Sequence, residues 1–307
     1  MRDLKAFLLR VAASDSNVLI TGETGTGKDI VAELIHENDA RRRGPFVRVN
    51  CAAVPETLVE SELFGHEKGA FTGADCARDG LLKAAAGGTV FFDEIGDMSP
   101  FAQAKILRAV ENHEIHRLGS QRDIPVDFRV LAATHRDLEK DAFEGRFRQD
   151  LYFRLNVSRI HVPPLRERKE DIPLLFDHYI RVFRSRRGLD VEGLAEDALE
   201  SLVRYDWPGN VRELKNLVES SLVVATSRRI SFADLPEDFR ARLRRSETPQ
   251  PGERERLVSA LVSTRWNKTE AASRLNWSRM TLYRKMAKYE IEAPSPKERP
   301  RHSSGSH

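Results

Sequence analysis

Five short apolar runs, rich in β-branched and aromatic residues, recur at positions 18–21, 46–50, 89–93, 128–134 and 159–162. Most alternate with stretches whose apolar residues fall at helical spacing. Such alternation predicts βα units, and strands apolar on both faces predict a parallel sheet covered on each side. From Asp171 the strand runs stop, and Val211, Leu214, Leu217, Val218 and Leu222 follow a helical period. A small helical subdomain is therefore expected after the sheet. Its last helix carries a start signal: Pro208-Gly209 for a turn, Asn210 as a cap, and Glu213 three residues on, as in a capping box.

After position 240 the chain is polar, with two prolines and a glycine before Glu255, and reads as a linker. Beyond it Leu257, Leu261, Ala271, Ala272, Leu275, Leu282 and Met286 supply the apolar faces of about three short helices. The stretch from Pro294 to His307 has the composition of a disordered tail.

Length and composition change this picture little. A chain of 307 residues, 40% hydrophobic and 32% charged, suits a large domain plus a smaller one. No apolar run approaches the ~18 residues that cross a bilayer, and no secretory leader is visible, so a cytoplasmic protein with no membrane partner is expected. Cys51 and Cys76 are too few and too poorly spaced for a zinc site. Charge matters more. Residues 241–307 hold 15 Lys or Arg against 7 Asp or Glu, so a net +3 overall divides into +8 there and −5 before it. A basic end suits a polyanion partner, or a solvated charged tail.

The chemistry begins after the first strand run. Gly22, Glu23, Thr24, Gly25, Thr26, Gly27 and Lys28 form a phosphate-binding loop followed by a helix-compatible stretch. Glycines let backbone N–H groups converge on phosphate oxygens, Lys28 adds a charge, and the helix presents its positive end. Asp29 occupies the position that normally carries a Ser or Thr for Mg²⁺, a departure that these residues alone do not explain. The run at 89–93 ends in Asp93-Glu94. Asp93 is suited to organise Mg²⁺ through water, and Glu94 to orient and polarise an attacking water. ATP and Mg²⁺ are thus the expected cofactors.

Further segments make the chain resemble the AAA+ bacterial enhancer-binding proteins, ATPases that activate RNA polymerase carrying sigma-54. Most specific is Gly69-Ala70-Phe71-Thr72-Gly73-Ala74, preceded by Glu62-Leu63-Phe64-Gly65-His66-Glu67. In that family the hexapeptide touches sigma-54, and two glycines bracketing one aromatic and one hydroxyl suit a retractable contact. The resemblance makes Asp29 a family trait and Asn50 the residue that holds Glu94 until the γ-phosphate is sensed. It assigns Arg148 and Arg154 as arginine fingers acting in a neighbour's site, with an ordinary interface ion pair as the alternative reading of each. Arg212 becomes the lid's sensor arginine, and Thr134 a γ-phosphate sensor with His135 beside it. The family usually has more residues upstream to close over adenine than the stretch 1–17, which suggests weak closure there.

Residues 268–285 resemble a Fis-type helix-turn-helix. Ala272 permits close helix crossing, Asn276 takes a left-handed turn, Ser278 caps the second helix and Trp277 packs in the core. Ser278, Arg279, Thr281, Arg284 and Lys285 are then the DNA-facing residues.

The fold class expected is α/β: a five-stranded parallel P-loop sheet domain with a helical lid, plus a small all-α C-terminal domain. Boundaries follow as 1–165 for the nucleotide-binding subdomain, 166–240 for the lid, 241–254 for the linker, 255–292 for the helix-turn-helix and 293–307 for the tail. The resemblance implies a homo-oligomeric ring, a hexamer in that family's manner, that binds duplex DNA upstream of a promoter and remodels the sigma-54 polymerase closed complex. No sensory domain stands before the sheet, so constitutive activity or control by a separate regulatory protein in trans is expected. The competing reading is a DNA-binding regulator whose vestigial ATPase serves only as an oligomerisation switch.

Overall fold

The computed structural model describes residues 2–52, 56–187, 191–224, 227–247, 253–264, 266–275, 277–289 and 291. It divides into two compact units, Met1–Pro236 and Glu237–His307. In chain order the strands are β1 (Val18–Thr21), β2 (Phe46–Asn50), β3 (Gly65–His66), β4 (Arg78–Asp79), β5 (Thr89–Asp93), β6 (Glu114–Ile115), β7 (Ile124–Pro125), β8 (Arg129–Thr134), β9 (Ser158–His161), β10 (Gly193–Leu194) and β11 (Arg229–Ile230).

The five longer strands form one sheet in the order β2-β5-β8-β1-β9, every neighbouring pair parallel. Successive residues point to opposite faces. Leu19, Val90, Phe92 and Ala132 therefore enter one core, while Val18, Ile20, Phe91, Leu131 and Ala133 enter another. Burial of both faces is the reason the inner strands β1, β5 and β8 read as continuous apolar runs, while the edge strands β2 and β9 keep exposed polar positions. Because β1 lies between β8 and β9, Thr21 stands level with Thr134, and in the next pairs Asn50 is level with Asp93. Polar residues thus gather at the carboxyl ends of the strands, the usual place for a ligand in a parallel α/β sheet.

Helices α1 (Arg2–Ala12) and α2 (Lys28–Glu37) contribute Leu8, Val11, Ala12, Val31, Ala32 and Ile35 to the second core. A buried charge fixes α1. Arg129, 1% exposed, pairs with Asp39 and donates to the carbonyls of Val11 (2.8 Å), Ala12 (3.1 Å) and Ser16 (3.1 Å). Carbonyls at a helix end have no partner within the helix, so the guanidinium satisfies them while Asp39 balances its charge.

Helix α3 (Glu56–Phe64) leads into β3, which pairs antiparallel with β4 and carries the segment 67–77 at its tip. After α4 (Leu81–Ala84), β5 and α5 (Pro100–Asn112), a second ribbon of β6 and β7 returns towards this hairpin. Glu67 N donates to Leu118 O, and Leu118 N to Gly65 O, both at 2.9 Å. Helices α6 (Leu138–Phe143) and α7 (Gln149–Leu155) then lead into β9.

The helical part of the first unit holds α8 (Asp171–Arg187), α9 (Glu196–Arg204) and α10 (Asn210–Val224). Strand pairing has not ended at Asp171 as expected, since two-residue β10 and β11 pair in parallel. The start of α10 also differs. Glu213 does reach back, but to Gly209 N (2.9 Å), and Asn210 at φ 51° turns its side chain away from its own helix.

In the second unit α11 (Glu237–Glu247) covers the first half of the expected linker. The correction has a simple cause: Phe239 and Leu243, one turn apart, are 4% and 1% exposed, and the apolar face begins before the polar stretch that suggested a linker. Residues 248–252, Asn276 and the expected tail lie outside the described residues. Beyond 252, α12 (Glu253–Ser263), α13 (Lys268–Arg274) and α14 (Arg279–Lys288) enclose a core of Leu257, Leu261, Ala271, Ala272, Leu282 and Met286.

Candidate functional site

The loop between β1 and α2 is shaped by its glycines. Gly25 lies at φ 80°, and a Cβ there would stand 2.5 Å from Gly209 O, so only glycine fits. Gly27, at φ 94°, is the residue from which α2 starts. Thr26 Oγ1 donates to Glu23 O (2.8 Å), closing the turn. The helical subdomain braces the loop from outside. Val211 N donates to Gly25 O (2.9 Å), as does Arg212 N (3.3 Å). Asn210, wholly buried, donates from Nδ2 to Glu23 Oε2 and Thr24 O, each at 3.1 Å, while its Oδ1 accepts from Leu165 N at 2.8 Å. Glu23 also takes both arms of Arg166, at 2.6 and 2.9 Å. Hydrogen bonds from Arg166 and then Asn210 hold its carboxyl down at about 2.

Lys28 is 5% exposed and points back into the loop, donating to Gly22 O (3.0 Å) and Glu23 O (3.3 Å). Its ammonium also lies 3.4 Å from Glu94 Oε1. The other oxygen of Glu94 accepts from His135 twice, from the backbone N at 3.1 Å and from Nδ1 at 2.7 Å. Burial alone pushes the Glu94 carboxyl up, but the His135 hydrogen bonds and the Lys28 charge outweigh it and leave the group below its ordinary value. Asp93 goes the other way, raised by burial and by the neighbouring Glu94 charge. Two adjacent carboxyls thus differ in their readiness to carry charge, a pattern suited to separate tasks at one site. Glu94 itself sits at φ 53°, a left-handed conformation that costs a non-glycine residue energy and recurs at functional sites.

Beside the loop opens a cavity of about 720 Å³ whose apolar lining includes Leu8 and Leu9 from α1, Ile30 and Leu34 from α2, and Leu175 and Tyr179 from α8. It is the right size for a nucleoside and leads to Thr26 and Gly27. Weak closure by the first residues was expected, yet α1 supplies part of this wall. At the hairpin tip Phe71, Thr72 and Gly73 are exposed and Ala74 is buried. Gly69 and Gly73 take φ 80° and 98° in open space, so backbone conformation rather than room calls for glycine there. Gly69 N donates to Ala74 O (2.8 Å), Ala74 N to Phe71 O (3.0 Å), and the Phe71 ring meets buried His66 edge-on at 4.9 Å.

Residues 1–161 match the family described as the sigma-54 interaction domain, which holds both the phosphate loop and this hexapeptide. The chain belongs to the sigma-54-dependent activator family. Residues 166–252 match an AAA+ ATPase lid domain, and 251–289 a bacterial regulatory protein of the Fis family. Transcriptional regulatory protein ZraR of Salmonella typhimurium is 49% identical over 294 residues, covering 94% of this chain and 67% of that protein. NtrC of the same organism is 41% identical over 323 residues, covering 95% and 69%. NtrX from Brucella abortus, solved in complex with ATP, superimposes with a TM-score of 0.72 at 31% identity, covering 95% of this chain and 68% of that one.

In this sigma-54 activator chain the expected site residues do not all converge. Lys28, Glu94 and His135 meet directly, with Asp93 adjoining and Asp29 exposed at the first turn of α2. Thr134 is wholly buried, its Oγ1 accepting from Arg136 N (3.0 Å), so the polar group that β8 presents to the site is His135. Asn50 Oδ1 accepts from Ala52 N (3.0 Å), and the hydrogen bonds of Glu94 run to His135. Arg148 and Arg154 stand at the two ends of α7, both exposed, and Arg148 pairs with Asp150 at 2.7 Å. Arg212 is exposed and packs its Cβ side against Gly25. Missed in the sequence were the cavity wall and Arg168, whose Nη2 donates to Thr26 O (2.8 Å) and whose burial lowers its pKa. The run Leu165-Arg-Glu-Arg168 after β9 was the available signal for it.

In the second unit Ser278 Oγ accepts from Thr281 N (3.1 Å), capping α14. Arg279 and Arg284 are exposed, with Met280 at 78% and Tyr283 at 43% beside them. Trp277 packs against the core, as expected, and Lys285 lies over its ring at 5.8 Å.

Proposed function

We propose that the chain is a sigma-54-dependent transcriptional activator, cytoplasmic and ring-forming, that hydrolyses ATP to convert the polymerase closed complex into an open one. The observation that carries this reading is the meeting of Lys28 and Glu94 at 3.4 Å under a glycine loop, in a chain whose hairpin exposes Phe71 and Thr72. Lys28, Gly25 and Gly27 would receive the phosphates, and the cavity beside them the adenosine. Among the described residues no three His, Cys, Asp or Glu side chains converge as a metal site. Mg²⁺ suits such a site, since it retains waters and takes phosphate oxygens with only one or two carboxylates, here Asp93. Glu94, held below its ordinary pKa, stays ionised and can polarise the attacking water.

Arg148 and Arg154 act on a neighbour's nucleotide, and Arg212 on the chain's own. A finger arginine is worth roughly 10³ to 10⁵ in rate, so isolated subunits turn over slowly and rings, hexameric in the family's manner, are the active form. Ser278, Arg279, Thr281, Arg284 and Lys285 bind duplex DNA upstream of the promoter. Steady-state ATP turnover tests the enzyme: no excess over a Lys28→Ala variant under ring-forming conditions would leave a DNA-binding regulator with a vestigial ATPase. Open-complex formation tests the loop. A Thr72→Ala variant that matched the parent chain would refute the sigma-54 contact.

A further inference from the structure

Two chains of hydrogen bonds, each passing through a buried side chain, Asp141 or Gln103, run from the carboxyl ends of β5 and β8 to the base of Arg148. The first starts at Arg136, next to His135. Arg136 Nη1 donates to Gly96 O (2.9 Å) and its Nε to Asp141 Oδ2 (2.7 Å). Asp141, 5% exposed, takes Arg146 Nε on its other oxygen (2.9 Å), and its backbone carbonyl accepts from Arg146 N (2.9 Å) and Phe147 N (3.1 Å). The second chain starts four residues after Glu94. Gln103, 1% exposed, donates from Nε2 to Met98 O (2.8 Å) and accepts from Arg148 N (2.8 Å) at Oε1.

Asp141 and Gln103 are themselves buried, so a partner that either loses is not simply replaced by water, and breaking the link there is costly. The segments 94–98 and 134–136 must answer any ligand at Lys28, because Glu94 and His135 already face it. Two rigid links therefore carry their displacement to residues 146–148. We infer that Gln103 and Asp141 are positioning residues that set the place of the Arg148 finger according to the state of the chain's own nucleotide site. The inference rests on the reading of Arg148 as a finger for the neighbouring subunit.

Mixed rings test it. Asp141→Asn and Gln103→Met each break one link; the second keeps side-chain volume and removes no charge, so it serves if the first fails to fold. Each full-length variant alone should lose about tenfold to a hundredfold in kcat, the effect of a misplaced catalytic group, with nucleotide affinity and ring assembly kept within about twofold. Mixed with a Glu94→Gln chain, which is inactive itself but donates an intact finger, each should regain turnover, as an Arg148→Ala chain should in the same mixture. Loss without recovery would place the defect in the variant's own site and overturn the inference, as would no loss at all. Full turnover by Arg148→Ala alone would instead refute the finger reading.

Discussion

Asn210, which no solvent reaches, is a residue through which the lid holds the phosphate loop. Its amide holds three groups from two segments: Leu165 N, and the Glu23 carboxylate and Thr24 O of the phosphate loop. Asn210→Ala removes all three bonds and leaves Leu165 N buried with its acceptor gone, at a cost of about 1–3 kcal/mol. Alanine must also adopt φ 51°, which Asn tolerates and which adds about 1–2 kcal/mol. The expected loss is therefore about 2–5 kcal/mol. For a unit of this size each kcal/mol lowers Tm by about 2–4 °C, so a drop near ~10 °C is expected. Asn210→Gly loses the same bonds but not the strain, and should recover about 1–2 kcal/mol of the difference.

Thermal unfolding of the three chains, with titration of a fluorescent ATP analogue, measures both effects. Nucleotide affinity should weaken severalfold in both variants, since Thr24 O and Glu23 are released. Equal Tm values for Ala and Gly would show that the backbone is not held at φ 51°. A loss under about 1 kcal/mol in both would show that the lid does not brace the loop through this residue.

Other outcomes follow from buried groups and exposed arginines. Arg129→Met strands the buried Asp39 carboxylate and three carbonyls, and should cost about 3–5 kcal/mol in urea unfolding; a loss below about 1 kcal/mol would refute the docking of α1. His36 is buried, its Nδ1 3.0 Å from Thr89 Oγ1, and burial lowers its pKa from 6.5. The neutral form is thus favoured in the folded state, so its contribution is full above pH 6.5 and fades as pH falls through the depressed native value. His36→Gln should flatten that part of the urea midpoint profile, and an unchanged slope would count against it. Leu9→Ser and Tyr179→Ala each expose the cavity wall and should weaken ATP-analogue binding about tenfold, the loss of one buried apolar group. Arg279→Ala should weaken DNA binding and reduce the salt slope by about 0.9, and an unaltered slope would place Arg279 off the phosphates.

The sheet was legible because its inner strands β1, β5 and β8 are buried on both faces and so read as continuous apolar runs, while the edge strands β2 and β9 keep apolar residues such as Val49 and Ile160. All five expected runs coincide with the observed strands to within a residue at each end, three of them without any offset. Irregular backbone read less well. The ribbons β3–β4 and β6–β7 are two residues long, too short for any period, and are held by backbone bonds such as Leu118 N to Gly65 O. The start of α11 was hidden because its apolar face consists of little more than Phe239 and Leu243 among charged residues.

The site divides along the same line. Phosphate-loop glycines and Asp93-Glu94 announce themselves because their chemistry is carried by adjacent residues. Partnerships between distant segments do not. The family resemblance assigns Asn50, at the end of β2, as the residue that holds Glu94. Geometry favours His135 because β8 lies next to β5 and the residue that follows it stands within 2.7 Å of the carboxylate. This has a mechanical consequence. Lys28 is engaged by two loop carbonyls and by Glu94, so an arriving phosphate must compete for it. Once it does, Glu94 loses one of its two charged or polar holds and retains His135. Release of Glu94 from Lys28 would then be a direct electrostatic result of nucleotide binding, at the point where β5 and β8 connect to Met98, Arg136 and the base of Arg148.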